Sequence, residues 1–157
     1  MDVLGRVVSY ADAFANSTTS TYDQPGRVID TVGRDGTRHT DYDAAGRPTA
    51  QKLDGATLAT PAYDSAGELA SVAYANGSAL SSLGRDPAGR TTGLGFTQAG
   101  GASLVSDSVT RSQAGRVVAQ TVDGTPSATF TYDGPGRLTG ATVPGHTLTY
   151  AFAPTGG

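Results

Sequence analysis

A turn-like motif, Tyr-Asp-x-x-Gly-Arg, returns along this chain at almost constant spacing. It reads YDQPGR at 22–27, YDAAGR at 42–47, YDSAGE at 63–68 and YDGPGR at 132–137, with degenerate copies RDPAGR at 85–90 and RSQAGR at 111–116. Half copies stand at 2–6 and 153–156. Successive motif glycines lie 20 to 22 residues apart, except for one interval of 26 between Gly89 and Gly115. A fixed period of this size dictates a repeat architecture, in which each unit buries its surface against its neighbours and not in a central core.

Between the motif glycines the pattern has period two, not 3.6. Val117–Val122 is a strand-like run, Asp123-Gly124 is a hairpin signal, and Ser127–Tyr132 alternates small polar and larger residues. Short turns recur opposite the motif at Asp35-Gly36, Asp54-Gly55, Asn76-Gly77, Asp123-Gly124 and Pro144-Gly145. Asp-Gly and Asn-Gly suit tight hairpins because both central residues need positive φ. One repeat is thus two strands and two turns, and the fold class is all-β: tandem β-hairpins forming a curved, spiralling antiparallel sheet. No helical window carries caps. The whole of 1–157 reads as a single array of about seven repeats, cut from a longer protein, and the long interval predicts a loop insertion at 97–110.

The motif has a physical logic. The Tyr ends a strand and can lay its ring on the sheet. The Asp can accept from amides two residues on, an Asx turn. The Gly supplies positive φ. The Arg, four residues after the Asp, can cross the turn and pair with it. The turn set comprises Asp23, Gly26 and Arg27; Asp43, Gly46 and Arg47; Asp64 and Gly67; Asp86, Gly89 and Arg90; Gly115 and Arg116; and Asp133, Gly136 and Arg137. Six of the ten arginines occupy the last slot. Such pairs contribute little each when exposed, so their value lies in fixing register. Tyr22, Tyr42, Tyr63 and Tyr132 form a ladder along the sheet. It either packs under the turns or offers an aromatic surface to sugars or a cargo chain.

Composition limits the function. Leu, Ile, Val and Phe number 27 of 157 residues, so the core is thin and the chain is better suited to being part of something larger. The net charge of −3 gives no case for nucleic acid. No apolar run of membrane-spanning length occurs. With no cysteine, there is neither disulfide framework nor thiol catalysis. His39, Asp41 and Asp43 would share one face of a strand, which is either a polar sheet surface or a small catalytic or metal cluster. His146 reads as a surface residue after a turn. No cofactor or metal is expected; the Asp-rich turns lack the nonapeptide pattern of calcium-binding β-helices.

The Tyr-Asp signature with its trailing Gly-Arg resembles the YD repeat of the RHS family, which includes bacterial polymorphic toxins, toxin-complex components and teneurins. The resemblance covers essentially the whole chain. It implies a spiralling β-sheet that belongs to a hollow shell, secreted or at the bacterial cell surface, which in bacterial members encloses a C-terminal toxin. It implies a non-catalytic structural role, with the rest of the shell, or other copies joined through open sheet edges, as partners and a toxin or effector as cargo. The ladder leaves a carbohydrate-binding or adhesion module as the alternative, and a self-processing element as a third reading. For that third reading, Asp86-Pro87-Ala88-Gly89 resembles part of the family's cleavage signature, but Arg90 stands where the Leu would be and the segment sits on the repeat period.

Overall fold

A computed structural model describes residues 1–153 of the chain. The described residues form fourteen strands and no helix. These divide into two compact units, Met1–Ala79 and Leu80–Gly157. The first unit holds β1 (Ser9–Ala11), β2 (Ser17–Tyr22), β3 (Val28–Gly33), β4 (Gly36–Tyr42), β5 (Pro48–Leu53), β6 (Ala56–Tyr63) and β7 (Leu69–Tyr74). The second holds β8 (Ala79–Arg85), β9 (Thr91–Thr97), β10 (Ser103–Arg111), β11 (Val117–Val122), β12 (Thr125–Tyr132), β13 (Leu138–Val143) and β14 (His146–Thr149). Within each unit every strand pairs antiparallel with its neighbours in chain order. The all-β tandem-hairpin architecture expected from the repeat is the one observed.

Each motif closes a hairpin by the same five-residue turn. The Asp amide donates to the carbonyl of the Arg, and the Gly amide donates to the carbonyl of the Asp, as in Asp23–Arg27 and Asp43–Arg47. The motif glycines have φ between 75° and 94°. Two residues beyond five of the Arg slots the ladder carries a β-bulge. Thr21 faces Asp30 while Tyr22 faces Val28, which leaves Ile29 as the extra residue. The same step occurs at Tyr42, Tyr63, Arg111 and Tyr132. Bulges sharpen local twist and re-aim the flanking side chains, and here they bring Tyr and Arg of successive turns together.

The opposite turns are of two kinds. Asp54-Gly55 and Asp123-Gly124 are two-residue turns with positive φ at both positions, and Pro144-Gly145 has it at the glycine alone. The turn expected at Asp35-Gly36 is centred one residue earlier, on Arg34-Asp35, because Gly33 pairs with Gly36. Asp12–Asn16, Tyr74–Ser78 and Gln98–Ala102 instead repeat the five-residue hydrogen-bond pattern of the motif. At the first of these, Ala15 takes the glycine position at φ 62° and Asn16 takes the Arg position.

The loop insertion expected at 97–110 is not a loop. β9 runs to Thr97 and β10 begins at Ser103, so only Gln98–Ala102 turn. The extra length goes into a nine-residue strand with its own bulge at Leu104. The half copy at 153–156 lies almost entirely outside the described residues.

The core is thinner than the composition suggested. Among the described residues the buried apolar side chains are Leu80, Ala128 and Ala141, and no large side chain is fully buried. A sheet wetted on both faces must draw its order from hydrogen bonds and from side chains lying along its surface.

Candidate functional site

The recurrent residues meet as a clamp between one turn and the next. Arg27 closes its own turn, its Nε donating to Asp23 Oδ2 at 2.6 Å, while Asp23 Oδ1 accepts from the Arg27 amide at 2.7 Å. The same guanidinium lies over the Tyr42 ring, 4.4 Å from the centroid. The Tyr42 hydroxyl reaches back and donates to the Val28 carbonyl, the residue just after Arg27, at 3.0 Å. Arg6 with Tyr22 and Arg47 with Tyr63 repeat this arrangement at 4.4 and 4.7 Å. Arg116 with Tyr132 repeats it at 5.7 Å, and Arg137 takes Phe152 as its ring at 4.4 Å.

Each stacked cation contributes about 0.5–1 kcal/mol, and each hydroxyl bond about 0.5–1.5 kcal/mol. The motif glycine belongs to the clamp as well as to the turn. A methyl group on Gly46 would lie 2.8 Å from Arg27 Nη1, and one on Gly67 would lie 2.9 Å from Arg47 Nη1.

Five of the motif carboxylates are held towards the ionised form. For Asp2 and Asp43 the amide of the motif Arg is the main influence, and it holds the carboxyl below its ordinary value of 3.8. For Asp23, Asp86 and Asp133 partial desolvation favours the neutral form, yet the amide and guanidinium donors outweigh it and the value is again lowered. Glu68 stands in the Arg slot of its turn, where Asp64 still caps the amides of Ala66 and Glu68.

The tyrosine ladder is present but already engaged. Tyr22, Tyr42, Tyr63 and Tyr132 are half-buried, with one ring face under a guanidinium and the hydroxyl spent on a carbonyl. A sugar stacking on that face would have to displace the arginine.

His39 does not join Asp43, which caps and pairs with Arg47 in the turn. It sits instead between two carboxylates, with Nδ1 2.6 Å from Asp30 and Nε2 3.0 Å from Asp41. Lys52 Nζ reaches Asp41 at 2.7 Å and the Thr21 hydroxyl donates to Asp30 at 2.9 Å. Thr21, Asp30, His39 and Lys52 face one another directly across β2 to β5. Sequence reasoning missed this row because Asp30 and Lys52 are far along the chain and only strand register aligns them. The hydrogen bond from Asp30 raises the imidazole above its ordinary 6.5, and Asp41 adds to the effect. Among the described residues the ring nitrogens bond Asp30 and Asp41 and no hydroxyl, so the row balances charge and lacks the nucleophile–base contact of a triad. Among the described residues no cluster is arranged to hold a metal ion.

Asp86 is committed to its turn, accepting from the Ala88 and Arg90 amides and from Arg90 Nε at 2.7 Å. His146 is an exposed residue at the start of β14.

No family model and no curated protein matches the chain. Solved structures do. The crystal structure of TcdB2-TccC3-Cdc42 matches 82% of this chain at a TM-score of 0.69 and 20% identity. TcdB2-TccC3-TEV and TcdB2-TccC3 without its hypervariable C-terminal region match at a TM-score of 0.68. The chain corresponds to 7% of the length of those chains. Its fold is that of a short stretch of these chains, the tandem-hairpin sheet that the YD motif implied.

Proposed function

We propose that this chain is a structural segment of an RHS-type β-shell that encapsulates or presents a toxin or effector, and that none of its residues performs catalysis. The observation that carries this reading is the clamp. The residues that recur with the period are spent on joining one turn to the next. The fold likeness to toxin-complex chains supports the same reading, as does a sheet with almost nothing buried, which gains order as part of a larger wall. The partners are then neighbouring repeats and an enclosed cargo, in a secreted protein.

The test is the native polypeptide. An antibody raised against this 15.8 kDa segment should detect a band several times heavier in the source cells. Limited proteolysis of that protein should spare a cargo domain that is digested once the shell is opened. A native band at the segment's own mass, or a cargo cut equally fast in both states, would remove the proposal. The carbohydrate reading needs free aromatic faces, and the Arg stacking has taken one from each ladder tyrosine; saturable binding on a glycan array would restore it.

A further inference from the structure

Asparagine occurs twice in this chain, at 16 and 76. Both residues stand in five-residue turns with the motif's hydrogen-bond pattern, and their side chains are held in opposite ways. Asn16 takes the Arg position of its turn and is followed by Ser17. Its Nδ2 donates to Asp12 Oδ2 at 2.9 Å, so its amide nitrogen is tied down. Asn76 is exposed at the tip of its turn and is followed by Gly77. Its Oδ1 accepts from the Ser78 amide at 3.0 Å and from Ser78 Oγ at 2.7 Å. Its Nδ2 makes no hydrogen bond among the described residues.

This is an arrangement that a backbone nitrogen can attack. Gly77 carries no Cβ to crowd the approach of its nitrogen to the Asn76 side chain. The oxygen that becomes negative during attack already has two donors aimed at it, which is how a developing oxyanion is stabilised. The Asn76 amide nitrogen is free to leave. The Gly77 amide donates to the Tyr74 carbonyl at 2.9 Å, so attack follows the opening of this bond. At an exposed turn tip such opening costs little.

We propose that Asn76 is a self-modification site, converted by its own backbone into aspartate and isoaspartate, with the two Ser78 donors stabilising the oxyanion. The Gly77 nitrogen attacks Asn76 Cγ and forms an N–Cγ bond. The Cγ–Nδ2 bond breaks, and ammonia leaves with the proton given up by the Gly77 amide. The succinimide ring then takes up one water. Hydrolysis of the new N–Cγ bond gives aspartate. Hydrolysis of the original peptide bond to the same nitrogen gives isoaspartate. The change happens once per molecule and involves no turnover. Aspartate keeps an acceptor for both Ser78 donors, whereas isoaspartate adds a methylene to the main chain and disturbs the register of the Gly77 bond to Tyr74.

The experiment incubates the full chain in neutral and in mildly alkaline buffer, and in parallel in concentrated urea. Asn76 and Asn16 are followed by peptide mapping with mass spectrometry and by an isoaspartate assay. In native buffer the Asn76 peptide should gain the mass of an amide-to-acid conversion, faster at the higher pH, while Asn16 stays intact. Ser78→Ala removes the hydroxyl donor and keeps the backbone one. It should slow the native reaction at least about threefold and leave the rate in urea unchanged. Gly77→Ala should suppress the reaction in urea as well, where strain in the turn plays no part. A native Asn76 that stays intact while the unfolded chain converts would overturn the proposal. So would conversion of Asn16 at the same rate, an S78A chain as fast as the parent in native buffer or equally slowed in urea, or a G77A chain of undiminished rate.

Discussion

Gly46 shows how much one residue is asked to do. Its φ of 85° is a left-handed conformation, and Arg27 Nη1 occupies the space where a methyl group would go. Gly46→Ala therefore strains the turn and pushes the guanidinium off Tyr42. We expect a loss of about 1–2 kcal/mol from the backbone alone, read as a lower urea midpoint. Gly55→Ala is the control, since its φ is 82° but nothing lies within 4 Å of the added methyl. The glycine position was legible in the motif. The second reason for it was not, because the arginine that fills the space belongs to the preceding repeat and arrives only through strand pairing. The same holds for the tyrosines: their periodicity announced a ladder, but the guanidinium covering each ring could not be read from the motif's own six residues.

At the scale of elements, the Asp12–Asn16 turn has the hydrogen bonds of the motif without its glycine. Asp12 Oδ1 accepts from the Phe14 and Asn16 amides at 2.8 and 3.0 Å, and Asn16 Nδ2 donates to Asp12 Oδ2 at 2.9 Å. Ala15→Gly relieves a positive φ in an alanine, so a gain of up to about 1 kcal/mol is expected, seen as a raised melting temperature. A fall would mean that the turn is not held in this form in solution. Here sequence reasoning missed the turn for a plain reason: it sought Gly, and the geometry is held by Asp12 together with Asn16. It failed likewise at 97–110, where spacing measured only that residues had been added, not that they prolong a strand.

The polar row across β2 to β5 gives a pH dependence. His39 has its value raised in the folded chain by Asp30 and Asp41, so its stabilisation is fully present below about 6.5 and is lost as pH rises through the raised value. Asp30 and Asp41 are lowered, by His39 and by Lys52 first respectively; their contribution is present above about 3.8 and fades in acid. Urea midpoints should therefore fall between pH 6 and pH 8.5, and His39→Gln should flatten that slope. An unchanged slope in the variant would show that the row does not bear on stability.

At the scale of the whole molecule, the described residues bury almost no apolar side chain, and β1 and β14 each pair on one side only. All three residues of β1 and all four of β14 are exposed. Free edges of this kind recruit other strands. The isolated 157-residue chain should therefore show a mass in light scattering that climbs with concentration, and Ala11→Pro, which removes an outward-facing backbone donor from β1, should reduce the climb. A constant monomer mass would contradict this. The thinness of the core was visible in the composition. What replaces it was not, because hydrogen bonds and stacked cations leave no hydrophobic periodicity to find.

Because every clamp refers only to its own turn and the one that follows, the chain contains no instruction about how many repeats there should be. A gene could gain or lose a copy of some twenty codons and each surviving junction would still be satisfied. Length in such a protein is a quantity that inheritance can adjust in whole steps, like links added to a chain, while the local chemistry stays as it was.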